Sequence, residues 1–195
     1  MNINTTYTKI ITDEDLMETV QHGSNLYPFQ FYYEDLSVFD FNCIEWHWHT
    51  ELEFIYIESG TVTLWIGEDQ FHLTEGNGIF INTKVLHRLY SPSKALIPNF
   101  VFMPSFIAPC DSLIYQKYIL PIISSSLPFL VFHKKVCWQA KVLSIMRQII
   151  SAQDSVLSKE LLTSSLLQNL WLEIFENTDI SYQEEHKEPS TASQA

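Results

Sequence analysis

Three imidazoles and a carboxylate carry the clearest chemical spacing in this chain. His47 and His49 are separated by one residue, Glu53 follows after three more, and Gly60 after a further six. The stretch reads HWHTELEFIYIESG, or HxH-x3-E-x6-G. His87 closes a second stretch, GNGIFINTKVLH, which begins at Gly76. Residues two apart on a strand share a face, so His47 and His49 point into one space. A tight turn then lets Glu53, at the start of the next strand, face them, and Gly60 permits the turn that follows. His87 opens a later strand after a turn at Asn82-Thr83-Lys84. Taken one at a time, histidines are most often packed or solvent-facing residues without a ligand. Converging together, three imidazoles and one carboxylate form a donor set for a borderline divalent ion: Zn, Fe, Ni or Mn.

The neighbouring positions follow from the same alternation. Cys43 and Glu45 share the parity of His47 and are placed with it in the pocket, where Glu45 would tune the protonation of the histidines. The alternative for Glu45 is an exposed carboxylate on the outer strand face. Trp46 and Trp48 fall on the opposite face and are assigned to a core, as are Tyr56, Trp65, Phe80 and Phe102. His72 reads as a surface residue, and His133 and His186 belong to no pattern.

Elements must hold these groups in place. Between residues 28 and 102, eight short apolar-alternating runs recur between turn signals: FQFYYEDL, VFDFNCIEWHWH, LEFIYIESG, TVTLWIG, DQFHLTEG, GIFINT, VLHRLYS and LIPNFVFMP. That spacing predicts an antiparallel sandwich or barrel, with a hairpin at Gly67-Glu68-Asp69. Helical spacing takes over at residues 134–153 and 155–177, and the short connection SAQDSVLS predicts an antiparallel helical hairpin. In the second helix Leu162, Leu166, Leu170 and Ile174 repeat every fourth residue, beside a stripe of Leu167, Trp171 and Phe175. One stripe is expected to pack within the hairpin; the other, Leu162 to Ile174, is the expected dimer surface. TDEDLMETVQ predicts a short N-terminal helix capped by Thr12. After Thr178 the sequence is polar and lacks a core-forming period, as expected of a linker. The expected organisation is an arm (1–27), a β-barrel (28–110), a helical dimerisation segment (111–178) and a linker (179–195).

Composition narrows the partners. The chain has 195 residues, 46 % hydrophobic and 14 % aromatic, enough for one substantial core. Its formal charge of −12 repels phosphate backbones and anionic membranes. Cys43, Cys110 and Cys137 are widely spaced, with no CxxC, as expected of reduced thiols. The N-terminus lacks the apolar run of a signal peptide, and the apolar stretch 118–132 is broken by Pro121 and Pro128, too short to span a bilayer. The expectation is a soluble, cytoplasmic protein.

The two motifs resemble those of the cupin superfamily, an antiparallel double-stranded β-helix or jelly-roll barrel. Phe41 stands where the first motif begins with glycine. Asn82, Lys84 and Ser91 stand where the second commonly has proline, glycine and asparagine. Residues 28–177 more closely resemble the N-terminal effector-binding and dimerisation domain of AraC-family regulators. HWHTELEFIYIESGTVTLWIGEDQFHLTEGNGIFINTKVLHRL, SLIYQKYILPII and the helix pair after the barrel carry that likeness. The resemblance implies a mainly β fold, the barrel followed by an α-helical hairpin. It also implies a non-enzymatic homodimer sensing a small polar effector such as a sugar, which contacts DNA only through a C-terminal helix-turn-helix domain not present here. It leaves two uses for His47, His49, Glu53 and His87: ligands of a divalent ion, or the floor of a metal-free effector pocket. The competing reading is a metal-dependent cupin enzyme, a dioxygenase or sugar isomerase with open positions on the ion. No separate acid or nucleophile supports it.

Overall fold

The computed structural model describes residues 8–178. All eight expected strands form: β1 (Phe29–Asp35), β2 (Cys43–His47), β3 (Leu52–Tyr56), β4 (Thr61–Ile66), β5 (Asp69–Thr74), β6 (Gly78–Ile81), β7 (His87–Tyr90) and β8 (Leu96–Phe102). A ninth, β9 (Phe129–Phe132), lies inside the segment expected to be helical. Four apolar residues carry no usable period, so FLVF reads equally as strand or helix until β6 pairs with it. The sheets are antiparallel, ordered β1-β8-β3-β6-β9 and β2-β7-β4-β5. Together they make the cupin-type barrel. Gly67 opens the two-residue β4–β5 turn with φ 56°, as a hairpin asks of its first central residue.

The larger sheet is buried on both faces, which is why β3 is apolar almost throughout. Ile55, Ile79, Ile81 and Ile97 face the barrel interior with Leu64 and Leu89 of the smaller sheet. Phe54, Phe80, Phe100, Phe102 and Phe132 face the other way, under the helices. Each such ring contributes about 1.5–3 kcal/mol by its removal from water. The helices are a short α1 (Leu120–Ile123), entered through a wide helical turn at Tyr115–Ile119, then α2 (Cys137–Ala152) and α3 (Lys159–Asn177). Trp171 of α3 meets Phe80 edge-on at 6.0 Å and donates its indole N–H to the Tyr118 carbonyl.

No helix forms over residues 12–21. The chain folds instead into a strap across the barrel. The Asp13 carboxylate accepts the N–H groups of Asp15 and Met17, and Leu16 adopts φ 65°. Asp side chains offer the backbone this alternative to helix bonds. The strap then pairs with the end of the site strand: Glu18 N–H to the Trp48 carbonyl, Trp48 N–H to the Leu16 carbonyl, and the Trp48 indole to the Asp15 carbonyl. Trp46 and Trp48 are half-buried on the outer face and are not core. Trp65 is also outside the core, with Arg88 stacked on its ring at 5.1 Å. The expected linker (179–195) lies outside the described residues.

Candidate functional site

His47, at the end of β2, stands opposite His87, the first residue of β7, with ring centroids 4.1 Å apart. His49 follows in the turn after β2, and Glu53 comes from β3 on the facing sheet. All four are buried, His87 completely. The sequence thus brings together the four residues that its spacing singled out.

The rings are oriented by the backbone. Nδ1 of His47 lies 2.8 Å from the Glu45 carbonyl, Nδ1 of His87 lies 2.8 Å from the Val85 carbonyl, and Nδ1 of His49 lies 3.2 Å from the Glu51 carbonyl. A carbonyl only accepts, so each Nδ1 carries the proton and donates it. Nε2 of His47 and of His87 is then left with its lone pair as a donor atom for a metal, while Nε2 of His49 reaches Glu53 and ligates once its proton is displaced. Carbonyl-held imidazoles of this kind are the usual outer support of metal ligands. One ring nitrogen from each histidine lies within 4.8 Å of the other two. Glu53 Oε2 sits 3.1 Å from His87 Nε2 and 3.4 Å from His49 Nε2. The His87 contact is close but off the line of a ring N–H, so that nitrogen makes no hydrogen bond. A lone pair beside a carboxylate oxygen is repulsive unless a proton or a cation lies between them. The donor set fits a divalent ion on this ground.

Protonation follows from the same contacts. Burial pushes His47 well below the usual imidazole range, and the His87 ring adds to that. Burial also opposes charge on His49, but its bond to Glu53 outweighs this and raises it. Burial alone would raise the Glu53 carboxyl, yet its bond to His49 and its close contact with the His87 ring hold it well below the usual carboxylate range. His47 is therefore neutral and ready to ligate, while His49 is the ring that competes with protons.

Cys43 and Glu45 do not join them. β2 carries one extra residue between Ile44 and His47 relative to β7, a bulge. The alternation restarts there, so Ile44 and His47 both face inward. Glu45 is turned out with its side chain 62 % exposed and pairs with Arg88, which lowers its carboxyl. Cys43 is buried away from the cavity, and burial pushes its thiol up to about 11. His72 is exposed on β5, as expected.

The family model of the AraC-like ligand binding domain matches residues 30–171. The chain belongs to the AraC-like ligand binding domain family. It is 25 % identical over 143 residues to the HTH-type transcriptional regulator YdeC of Bacillus subtilis (strain 168), covering 71 % of this chain and 48 % of YdeC. The chain thus spans about half the length of that curated relative. ToxT from Vibrio cholerae shares the fold, with a TM-score of 0.53 at 15 % identity, over 80 % of this chain and 57 % of that one.

In this AraC-like domain the cavity has a second half that the motifs do not mark. Glu18 and His22 of the strap, Tyr32 and Glu34 of β1, and Asn99 of β8 line it with the histidines. His22 bridges Glu18 Oε2 at 3.1 Å and the Tyr32 hydroxyl at 2.9 Å, and its ring meets His49 at 5.7 Å. Asn99 donates to Glu34 at 2.8 Å. A lone asparagine inside the apolar run LIPNFVF was the available signal; Glu18 and His22 had none, because the strap was read as a helix. With the strap in place the free volume is about 30 Å³, room for a water or two.

The expected dimer stripe divides. Leu170 and Ile174 are fully buried within the fold, and so cannot meet a partner. Leu166 is half-buried and Leu162 exposed, in a groove between α2 and α3. A strict fourfold repeat drifts about 40° per step on a 3.6-residue helix, so Leu162 and Ile174 lie about 120° apart. Besides Leu162, α3 turns Leu161 and Leu172 to solvent, and these two share a face.

Proposed function

We propose that this chain is the sensing domain of a transcription regulator and that its site holds a divalent ion at His47, His49, Glu53 and His87. The carrying observation is the set of three Nδ1-anchored imidazoles with one ring nitrogen each within 4.8 Å of the others, two of which bring Nε2 beside the Glu53 carboxylate. A free volume of about 30 Å³ suits an ion with a water or two and excludes a sugar while the strap is down. A larger polar effector, a sugar included, enters only if the Glu18–His22 contacts open. That requirement ties ligand size to strap position, and a ligand shifts such an equilibrium only by binding one arrangement better. When bound, the ion supplies a Lewis-acid centre for the oxygen of such an effector.

Membership of a ligand-binding family, together with the likeness to YdeC, favours sensing over catalysis. DNA contact in the whole protein falls to a part beyond this chain, whose charge of −12 repels nucleic acid. Self-association uses the outer face of α3, at Leu161 and Leu172. No helix among the described residues is long and apolar enough to cross a membrane. Elemental analysis of protein purified without chelator tests the site: about one Zn, Fe, Ni or Mn per chain is expected, lost in His47→Ala. Equal metal content in both proteins would overturn the assignment.

A further inference from the structure

Asn82 ends the β6 segment five residues before His87, where the motif resemblance calls for proline. Its side chain is buried and fully bonded. Nδ2 donates to the carbonyls of Ile122 at 3.1 Å and Leu127 at 2.9 Å, and Oδ1 accepts the Thr83 N–H at 2.8 Å. The Asn82 backbone N–H donates to the Pro128 carbonyl at 2.9 Å. One residue thus grips both ends of the turn that joins α1 to β9, across 40 and 45 positions of sequence. Proline would make none of these bonds.

The other end of this loop is fastened to the site. Lys84 N–H donates to the His49 carbonyl at 2.8 Å, and the Val85 carbonyl holds the His87 ring. Lys84 sits at φ 60°, a conformation that non-glycine residues hold only when their surroundings fix it. Two of the three site histidines are therefore bonded to a short, constrained loop anchored in the helical segment, His87 by its ring and His49 by its backbone carbonyl.

We propose that Asn82 is a positioning residue that conveys occupancy of the barrel site to the segment 122–128, and through it to the helical layer. This rests on the reading of the site as a sensing site. A purely structural role for Asn82 predicts a less stable protein with an unchanged response.

Amide hydrogen exchange of the whole chain, with and without Zn²⁺, separates the two. In the parent protein Zn²⁺ is expected to slow exchange at residues 47–53 and also at 124–127. At 124–127 the slowing should be at least about fivefold, the low end of ordinary coupling between sites. Asn82→Ala removes all three side-chain bonds. Asn82→Asp keeps the acceptor for Thr83 and loses both donors, and it carries the comparison if the alanine variant does not fold. Both are expected to keep the slowing at 47–53 and lose it at 124–127. An unchanged response at 124–127 in the folded variants overturns the inference, as does a parent protein protected at 47–53 alone. No protection at either segment in the parent overturns the sensing reading together with it.

Discussion

Saturating the domain with Zn²⁺ should raise its melting temperature by an amount that mass action and the size of the domain set. A ligand bound only by the folded state at a hundredfold its dissociation constant contributes about 2.7 kcal/mol. For a domain of this size each kcal/mol moves the midpoint by about 2–4 °C, giving a rise of about 5–11 °C. The pH dependence has a definite sign. His47 is depressed and already neutral near pH 7, so it adds no proton competition. His49 is raised and holds a proton against Glu53, which the ion must displace. The Zn²⁺-induced rise should therefore be smaller at pH 6 than at pH 8. Scanning calorimetry at both values, with chelator-treated protein as the baseline, gives the measurement. His87→Gln serves as the control, because an amide on that fully buried position fills most of the ring's space without offering the imidazole lone pair. The reasoning fails if the parent protein shows no rise at millimolar Zn²⁺, or if His87→Gln shows the same rise.

Other outcomes follow from the same geometry. Phe41 sits at φ 58° and is 90 % exposed, so Phe41→Gly relieves a left-handed penalty of about 1–2 kcal/mol and loses little burial. Set against the greater unfolded-state freedom of glycine, the net gain should be up to about 1 kcal/mol by urea denaturation; a clear loss would mean that the ring makes an essential contact. Gly60→Ala places a Cβ 2.7 Å from the Lys94 carbonyl oxygen at φ 88° and should destabilise by more than about 2 kcal/mol in the same assay. Glu53→Gln should flatten the acid limb of the stability curve. A carboxyl held low contributes stability above its unfolded value that is lost as pH falls, and denaturation series between pH 3 and 6 would show whether that slope depends on Glu53. Leu172→Glu should shift sedimentation toward monomer at unchanged melting temperature, whereas Leu170→Glu, fully buried, should unfold the chain; a dimer that survives Leu172→Glu would move the interface off this face.

Local signals made the barrel and its four site residues legible. The strand runs alternate cleanly, and HxH-x3-E with a later histidine fixes types and spacing at once. The positive φ of Phe41 and Lys84 was foreshadowed too, since both replace glycines of the resembled motifs. The errors came where a period was extended past what sets it. Counting by twos from His47 back to Glu45 and Cys43 crossed a bulge, and a bulge has no reliable letter in a single sequence. Counting by fours along α3 ignored helical drift and merged a buried stripe with an exposed one.

The strap is the more instructive miss, because it changes what the pocket can accept. TDEDLMETVQ has helical letters, yet Asp13 turns the chain and the Trp48 backbone pairs with it, a tertiary choice that outweighs a weak local preference. That choice delivers Glu18 and His22 against His49 and leaves about 30 Å³ free. A reading of the motif alone pictures an open barrel able to take a sugar directly. With the strap bonded across it, the small ion and the larger effector differ in what they require: the ion is accommodated with the strap down or up, the effector only with it up. Effector affinity should accordingly rise when the Glu18–His22–Tyr32 bonds are weakened, as in His22→Ala, while metal affinity at the three imidazoles should stay within a few-fold of the parent.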